Sequence, residues 1–187
     1  MKFLLLTMAF LTSFAAGQGY RLELLVNGVA VPFSVAEALE QNGDTFVLES
    51  DAERATITFA GGVLDLNIAD FGRWQYAHVL AVALERTAPG VYTFRTTVRH
   101  FDRGWEDYAN VWRVVGPEVT GGERELLHPH DTEQPFTRSQ AGVRAAGTVR
   151  IEAADNVRGL GGSTIGLDLE ALPLTPTIEV SYRLQPN

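Results

Sequence analysis

The stretch Trp74-Gln75-Tyr76-Ala77-His78-Val79-Leu80-Ala81-Val82-Ala83-Leu84-Glu85-Arg86 is followed by Thr87-Ala88-Pro89-Gly90 and then by Val91-Tyr92-Thr93-Phe94-Arg95-Thr96-Thr97-Val98-Arg99-His100-Phe101-Asp102. In the first arm the even positions carry Trp74, Tyr76, His78, Leu80, Val82 and Leu84, while the odd positions carry Gln75, Glu85 and small apolar residues. In the second arm Tyr92, Phe94, Val98 and His100 are even, against Arg95 and Arg99 on the odd side. Strand side chains alternate between faces, so each arm has one bulky face and one thinner or polar face. The two arms read as a β-hairpin around Ala88-Pro89-Gly90. With that loop, His78 lies directly opposite His100. With a loop two residues longer, it faces Val98 and leaves His100 on the diagonal. Direct and diagonal neighbours have Cβ atoms about 5 Å and about 7 Å apart, and both spacings suit two imidazoles sharing one metal.

Outward from this hairpin the same punctuation recurs. Tyr20 to Val26 alternates and ends at Asn27-Gly28, the strongest short hairpin signal, before Val29 to Phe33 resumes. Ser34 to Gln41 has helical spacing, with Ser34 as cap and Glu37 three residues on. Thr45 to Glu49, Arg54 to Ala60 and Val63 to Ile68 are short runs separated by turn residues, and Tyr108 to Val115, Thr148 to Ala153 and Thr177 to Leu184 continue the pattern. Glu118 to Gly147 reads as one long polar loop, a length that is usually functional. The expectation is an all-β protein, an antiparallel β-sandwich (Greek-key or barrel-like) with one long functional loop. Residues 18–187 form its single domain.

Residues 1–17 place Lys2 ahead of the apolar run Phe3 to Leu11, followed by the small residues Ser13, Ala15, Ala16 and Gly17. This is the order of a secretory signal peptide, cleaved or else retained as an N-terminal peg. It predicts export to the periplasm, cell envelope or cell surface. Beyond it the sequence has no cysteine, methionine or lysine, since Met1, Met8 and Lys2 all fall within that segment. Without sulfur, neither disulfides nor the usual oxidation ladder applies. The remaining 14 arginines stand against 23 carboxylates, a net charge of −9. No basic stripe exists, which removes nucleic acid and anionic membranes as partners.

The four histidines are His78, His100, His128 and His130. His128 and His130 flank Pro129, which keeps His128 extended, so both rings point the same way. Asp131 and Glu133 stand ready as acceptors for those rings. Four imidazoles without thiolate or thioether exclude iron-sulfur and blue-copper chemistry and leave copper (Cu2+), with zinc as the alternative.

This ligand inventory resembles the copper-only superoxide dismutases: an exported β-sandwich, a His-x-His pair at His128-Pro129-His130, and the single histidines His78 and His100. It is also similar to small dismutase-like proteins of bacterial surface-layer complexes. The resemblance implies a four-histidine copper site with superoxide as substrate, and a homo-oligomer attached to cell-envelope or surface-layer proteins. The family's disulfide has no counterpart here, and its His-x-His pair precedes the other ligands rather than following them. Arg99, Arg103 or Arg158 would draw the anion in. A different expectation is a non-catalytic structural or adaptor subunit of such a complex. Trp105, Tyr108 and Trp112 near Asp102, Glu106 and Asp107 form a further candidate, a stacking platform for sugar, or else strand core with Trp105 as cover. Gly159-Leu160-Gly161-Gly162 reads as a flexible turn and not as a phosphate loop.

Overall fold

The computed structural model describes residues 20–31, 33–35, 41–42, 45–48, 54–59, 61–67, 75–173 and 175–186. The expected signal segment, Trp74 and most of the expected helix at 34–41 lie outside them. Ser34 and Val35 themselves belong to a strand.

The strands are β1 (Tyr20–Val26), β2 (Val29–Ala30), β3 (Phe33–Val35), β4 (Gln41–Asn42), β5 (Thr45–Leu48), β6 (Arg54–Phe59), β7 (Gly62–Asn67), β8 (His78–Ala88), β9 (Val91–Arg99), β10 (Ala109–Val115), β11 (Glu123–Glu125), β12 (Phe136–Arg144), β13 (Thr148–Asp155), β14 (Gly159–Leu160), β15 (Thr164–Asp168) and β16 (Thr177–Pro186). They form two antiparallel sheets, ordered β12-β9-β8-β16-β1-β5-β4 and β11-β10-β13-β15-β7-β6-β3, with β2 beside β1 and β14 beside β13. β8 of the first sheet lies against β13 and β15 of the second. The protein is an all-β sandwich of two packed sheets, as the alternation predicts.

The core between the sheets is aliphatic and aromatic. Leu22 and Leu24, Val82 and Leu84, Phe94 and Val98 meet Leu64 and Leu66, Trp112, Ile151, Ile165 and Leu167. Asn27 and Gly28 both have positive φ, 50° and 77°, the conformation that an Asn-Gly two-residue hairpin requires. Of the aromatic trio, Trp112 is fully buried core, whereas Trp105 is 66% exposed and meets Tyr108 edge-on at 5.8 Å.

The β8–β9 hairpin departs from the expected register where it bears on the histidines. From Ala81↔Thr97 to Arg86↔Tyr92 the pairing has the register read from sequence, but the turn is Pro89-Gly90 alone: Ala88 ends β8 and pairs with Val91 after a shift between Arg86 and Ala88. Between Val79 and Ala81 a β-bulge then shifts it, so His78 stands opposite Arg99 and not His100 or Val98. An extra residue in one strand inverts the facing of everything beyond it. Val79, an odd position, is therefore fully buried alongside the even Val82 and Leu84.

Much of the expected 118–147 loop is strand. β12 forms the edge next to β9 and buries only Phe136 and Val143 firmly, with a register shift between Gln140 and Val143 at Gly142 (φ 72°). The irregular part that remains, between β11 and β12, carries His128-Pro129-His130.

Gly161 and Gly162 are close-packed and not a loose turn. A Cβ on Gly161 would collide with the Tyr76 ring, and one on Gly162 would overlap the Ala77 carbonyl and approach His78 Cα to 3.2 Å. That close approach lets Val79 N–H donate to Ser163 O at 3.0 Å. Gly162→Ala is expected to cost about 1–3 kcal/mol through overpacking against backbone, read as a fall in the urea midpoint.

Candidate metal centre

The histidines gather at one end of the sandwich, where the end of β9, the segment entering β10, the segment before β12 and the end of β13 meet. His78, His100 and His130 are buried and His128 is exposed.

His78, at the start of β8, is held by Ser163. The Ser163 backbone N–H donates to His78 Nδ1 at 3.1 Å, and Ser163 Oγ lies 3.2 Å from the same nitrogen and 2.7 Å from Tyr182 Oη. With Nδ1 accepting, the neutral ring carries its proton on Nε2. Burial, reinforced by the fields of His100 and Arg99, pushes the His78 pKa down to about 3. The ring is therefore neutral throughout the physiological range.

His100 follows β9, and its Nδ1 lies 2.6 Å from Asp102 Oδ1. Asp102 has a fully buried carboxylate that also accepts the backbone N–H of His130 at 2.6 Å and of Ala109 at 3.1 Å. Burial pushes the Asp102 pKa up, but the bonds from His100, His130 and Ala109 outweigh it and hold the carboxyl below its ordinary value. One anion thus ties the end of β9, the His128–His130 segment and the start of β10 together.

Because His100 Nδ1 is turned to Asp102, its Nε2 looks the other way. It faces Asp107 Oδ1 at 3.7 Å and Asp155 Oδ2 at 4.0 Å. Arg158 grips Asp107 through both nitrogens, at 2.9 and 3.0 Å, and this bond chiefly holds the Asp107 carboxyl below its usual range.

His130 stacks on Phe136 with centroids 3.7 Å apart and planes 8° from parallel. Its ring lies 4.5 Å from that of His128, and its Nε2 is 3.8 Å from Glu133 Oε1. Neither ring nitrogen of His130 has a hydrogen-bond partner. Burial lowers its pKa, with Arg138 and His128 adding to the effect, so the ring stays neutral at pH 7 with a lone pair to offer. His128 Nδ1 donates to the Pro129 carbonyl at 2.9 Å, which leaves its Nε2 as the ligating nitrogen. Glu133 also takes a 2.7 Å ion pair from Arg138.

Among the described residues, two triads bring ligand atoms within 4.8 Å of one another: His128, His130 and Glu133, and separately His100, Asp107 and Asp155. His78 belongs to neither. The structure thus places the His-x-His pair together as read from its spacing, adds Glu133 to it, and sets His100 among carboxylates. Glu133 was readable from sequence as a neighbour of the pair. Asp107 and Asp155 were not, because their approach to His100 depends on how β10 and β13 cross the end of β9. Asp131, the other expected acceptor, instead takes the Gly104 N–H at 3.2 Å. Of the arginines considered for drawing an anion, Arg158 is held by Asp107 and Asp155, and Arg103 lies over the Phe101 ring at 5.2 Å.

A protein of Halomicrobium mukohataei named "Putative lipoprotein" is 36% identical over 100 residues, which is 51% of this chain and 48% of that protein. The chain thus spans about half the length of that relative. No known family profile matches the chain, and no solved structure matches it.

Proposed function

We propose that the chain is an exported cell-envelope protein that binds copper through His128, His130 and Glu133. The observation that carries this reading is the His128–His130 pair. Two rings stand 4.5 Å apart, the inner one held neutral by burial and the outer one exposed, beside a carboxylate. Two imidazole nitrogens and one carboxylate oxygen suit tetragonal Cu(II), with Zn(II) as the competitor. Exposure of His128 leaves room for an exchangeable position on the metal, which dismutation of superoxide would need. Export is supported by the order of residues 1–17 and by the name of the Halomicrobium relative.

The adaptor reading is supported by a different observation. Phe101, Trp105, Leu127 and Val157 are all more than half exposed, and they sit on the segments that build the site. Where such side chains join into one patch they make a surface suited to protein contacts. Both readings hold together for a copper protein docked on an envelope assembly.

Copper at 100 times its dissociation constant should stabilise the chain by about 2.7 kcal/mol, a rise in Tm of about 5–10 °C for a domain of this size. His128→Ala should abolish most of that rise and leave the metal-free Tm nearly unchanged, because the exposed ring contributes little packing. An equal shift in wild type and variant rejects the site. Catalytic dismutation is read separately: copper-loaded wild type should consume superoxide faster than the same amount of free copper held by a chelator. If it does not, the dismutase part of the reading fails while copper binding stands.

A further inference from the structure

The second triad is a site of different chemistry, and it lies deeper. His100 Nε2 and Asp155 Oδ2 are both fully buried and neither has a hydrogen-bond partner. They face one another at 4.0 Å, with Asp107 Oδ1 3.7 Å from the same nitrogen. A buried polar atom without a partner costs about 1–3 kcal/mol, so two that face each other mark the seat of something that satisfies both.

The other atoms of these side chains are already committed. His100 Nδ1 is fixed by Asp102, which is the orientation that a metal-ligating histidine takes from its carboxylate neighbour. Asp155 Oδ1 accepts the N–H groups of Val157 at 2.9 Å and Arg158 at 2.6 Å, capping the turn after β13. Oδ2 is therefore the oxygen left over. Across the gap His100 Nε2 and Asp155 Oδ2 converge with Asp107 Oδ1, which already accepts from Arg158 at 2.9 Å, an arrangement of donor atoms complementary to a cation. Donors each about 2.0–2.2 Å from one Zn(II) stand roughly 3–4 Å apart, and the two carboxylate oxygens lie 3.7 and 4.0 Å from His100 Nε2.

Charge argues the same way. Three carboxyl groups, those of Asp102, Asp107 and Asp155, surround His100, and Arg158 is the one guanidinium that pairs with them, an excess of acidic groups that a divalent ion would offset.

From this geometry we infer that His100, Asp107 and Asp155 form a buried binding site for a divalent cation of mixed nitrogen and oxygen preference, with Zn(II) first in its class. The ion clamps the segment entering β10 to the turn after β13, and Arg158 closes over it from the outside. This site shares no ligand with the copper set, so either can fail without the other.

The test is done in the His128→Ala chain, where the surface pair is broken. After loading with Zn(II) and exhaustive dialysis, that chain should retain about one equivalent of zinc by elemental analysis. Adding Asp155→Asn should reduce it to near zero. Asp107→Asn should weaken binding at least tenfold, and it serves as the second variant if circular dichroism shows Asp155→Asn unfolded. Arg158→Gln removes a competing positive charge and should tighten zinc by about tenfold. Absence of retained zinc in the His128→Ala chain overturns the site, as does retention unchanged by Asp155→Asn or Asp107→Asn. The gap then belongs to a water or a proton. Zinc affinity unchanged or weakened in Arg158→Gln overturns it equally.

Discussion

Replacing Asp102 with Ala is expected to destabilise the metal-free protein by about 3–5 kcal/mol, the cost of breaking a buried charged network by removing one partner. The carboxylate is fully buried and accepts three hydrogen bonds, from His100 Nδ1 at 2.6 Å, His130 N–H at 2.6 Å and Ala109 N–H at 3.1 Å. Alanine strands all three donors away from water, and each buried donor left unsatisfied costs about 1–3 kcal/mol. Asp102→Asn keeps an acceptor oxygen but loses the charge, so its loss should be intermediate. Urea unfolding at neutral pH measures both. A loss below 1 kcal/mol for Asp102→Ala would mean that this carboxylate does not hold the end of β9, the His128–His130 segment and the start of β10 together.

Acid should weaken the metal-free fold well above the range where carboxylates titrate. The His78 pKa is about 3 in the folded chain against about 6.5 for an unperturbed histidine, lowered first by burial. Above pH 6.5 both states are neutral at this residue, and its contribution is fully present. Below that, the unfolded chain takes up a proton that the folded chain refuses, so stability is lost progressively between about 6.5 and about 3, at up to about 1.4 kcal/mol per pH unit. His130 shifts in the same direction, also through burial. Asp102 and Asp107 are held below the ordinary carboxylate range, so their contributions disappear only at lower pH. Between pH 6.5 and 4.5, Tm should therefore fall steadily in the wild type. In His78→Gln it should start lower but fall with a slope reduced by one proton. Identical slopes in the two proteins would show that His78 is not the buried neutral base.

The fold was legible from sequence where strands run uninterrupted in the sheet interior. β9 keeps a constant alternation between core and outer face, and the Asn27-Gly28 turn stands at the end of β1 where its residues placed it. Legibility failed where a bulge inverts that alternation. At β8 the residues Val82 and Leu84 are inward on even positions, but the bulge near Leu80 brings Val79 inward and pairs His78 with Arg99. β12 hid inside an apparent loop for the same reason. Phe136 and Val143 have opposite parity because the register shifts at Gly142, and an edge strand needs few apolar residues besides. The candidate site divides along similar lines. His128 and His130 were readable because two-residue spacing around a proline is local. The surroundings of His100 were not, since Asp107 arrives from the segment before β10 and Asp155 from the end of β13, contacts that no local pattern encodes.

The central claim, copper on the His128–His130 pair, is tested most directly by electron paramagnetic resonance of the chain carrying one equivalent of Cu(II) at pH 7.5. An axial spectrum with nitrogen couplings from two imidazoles is predicted for the wild type, and His128→Ala should lose one of the two. A spectrum without nitrogen coupling, or one that His128→Ala leaves unchanged, would contradict it.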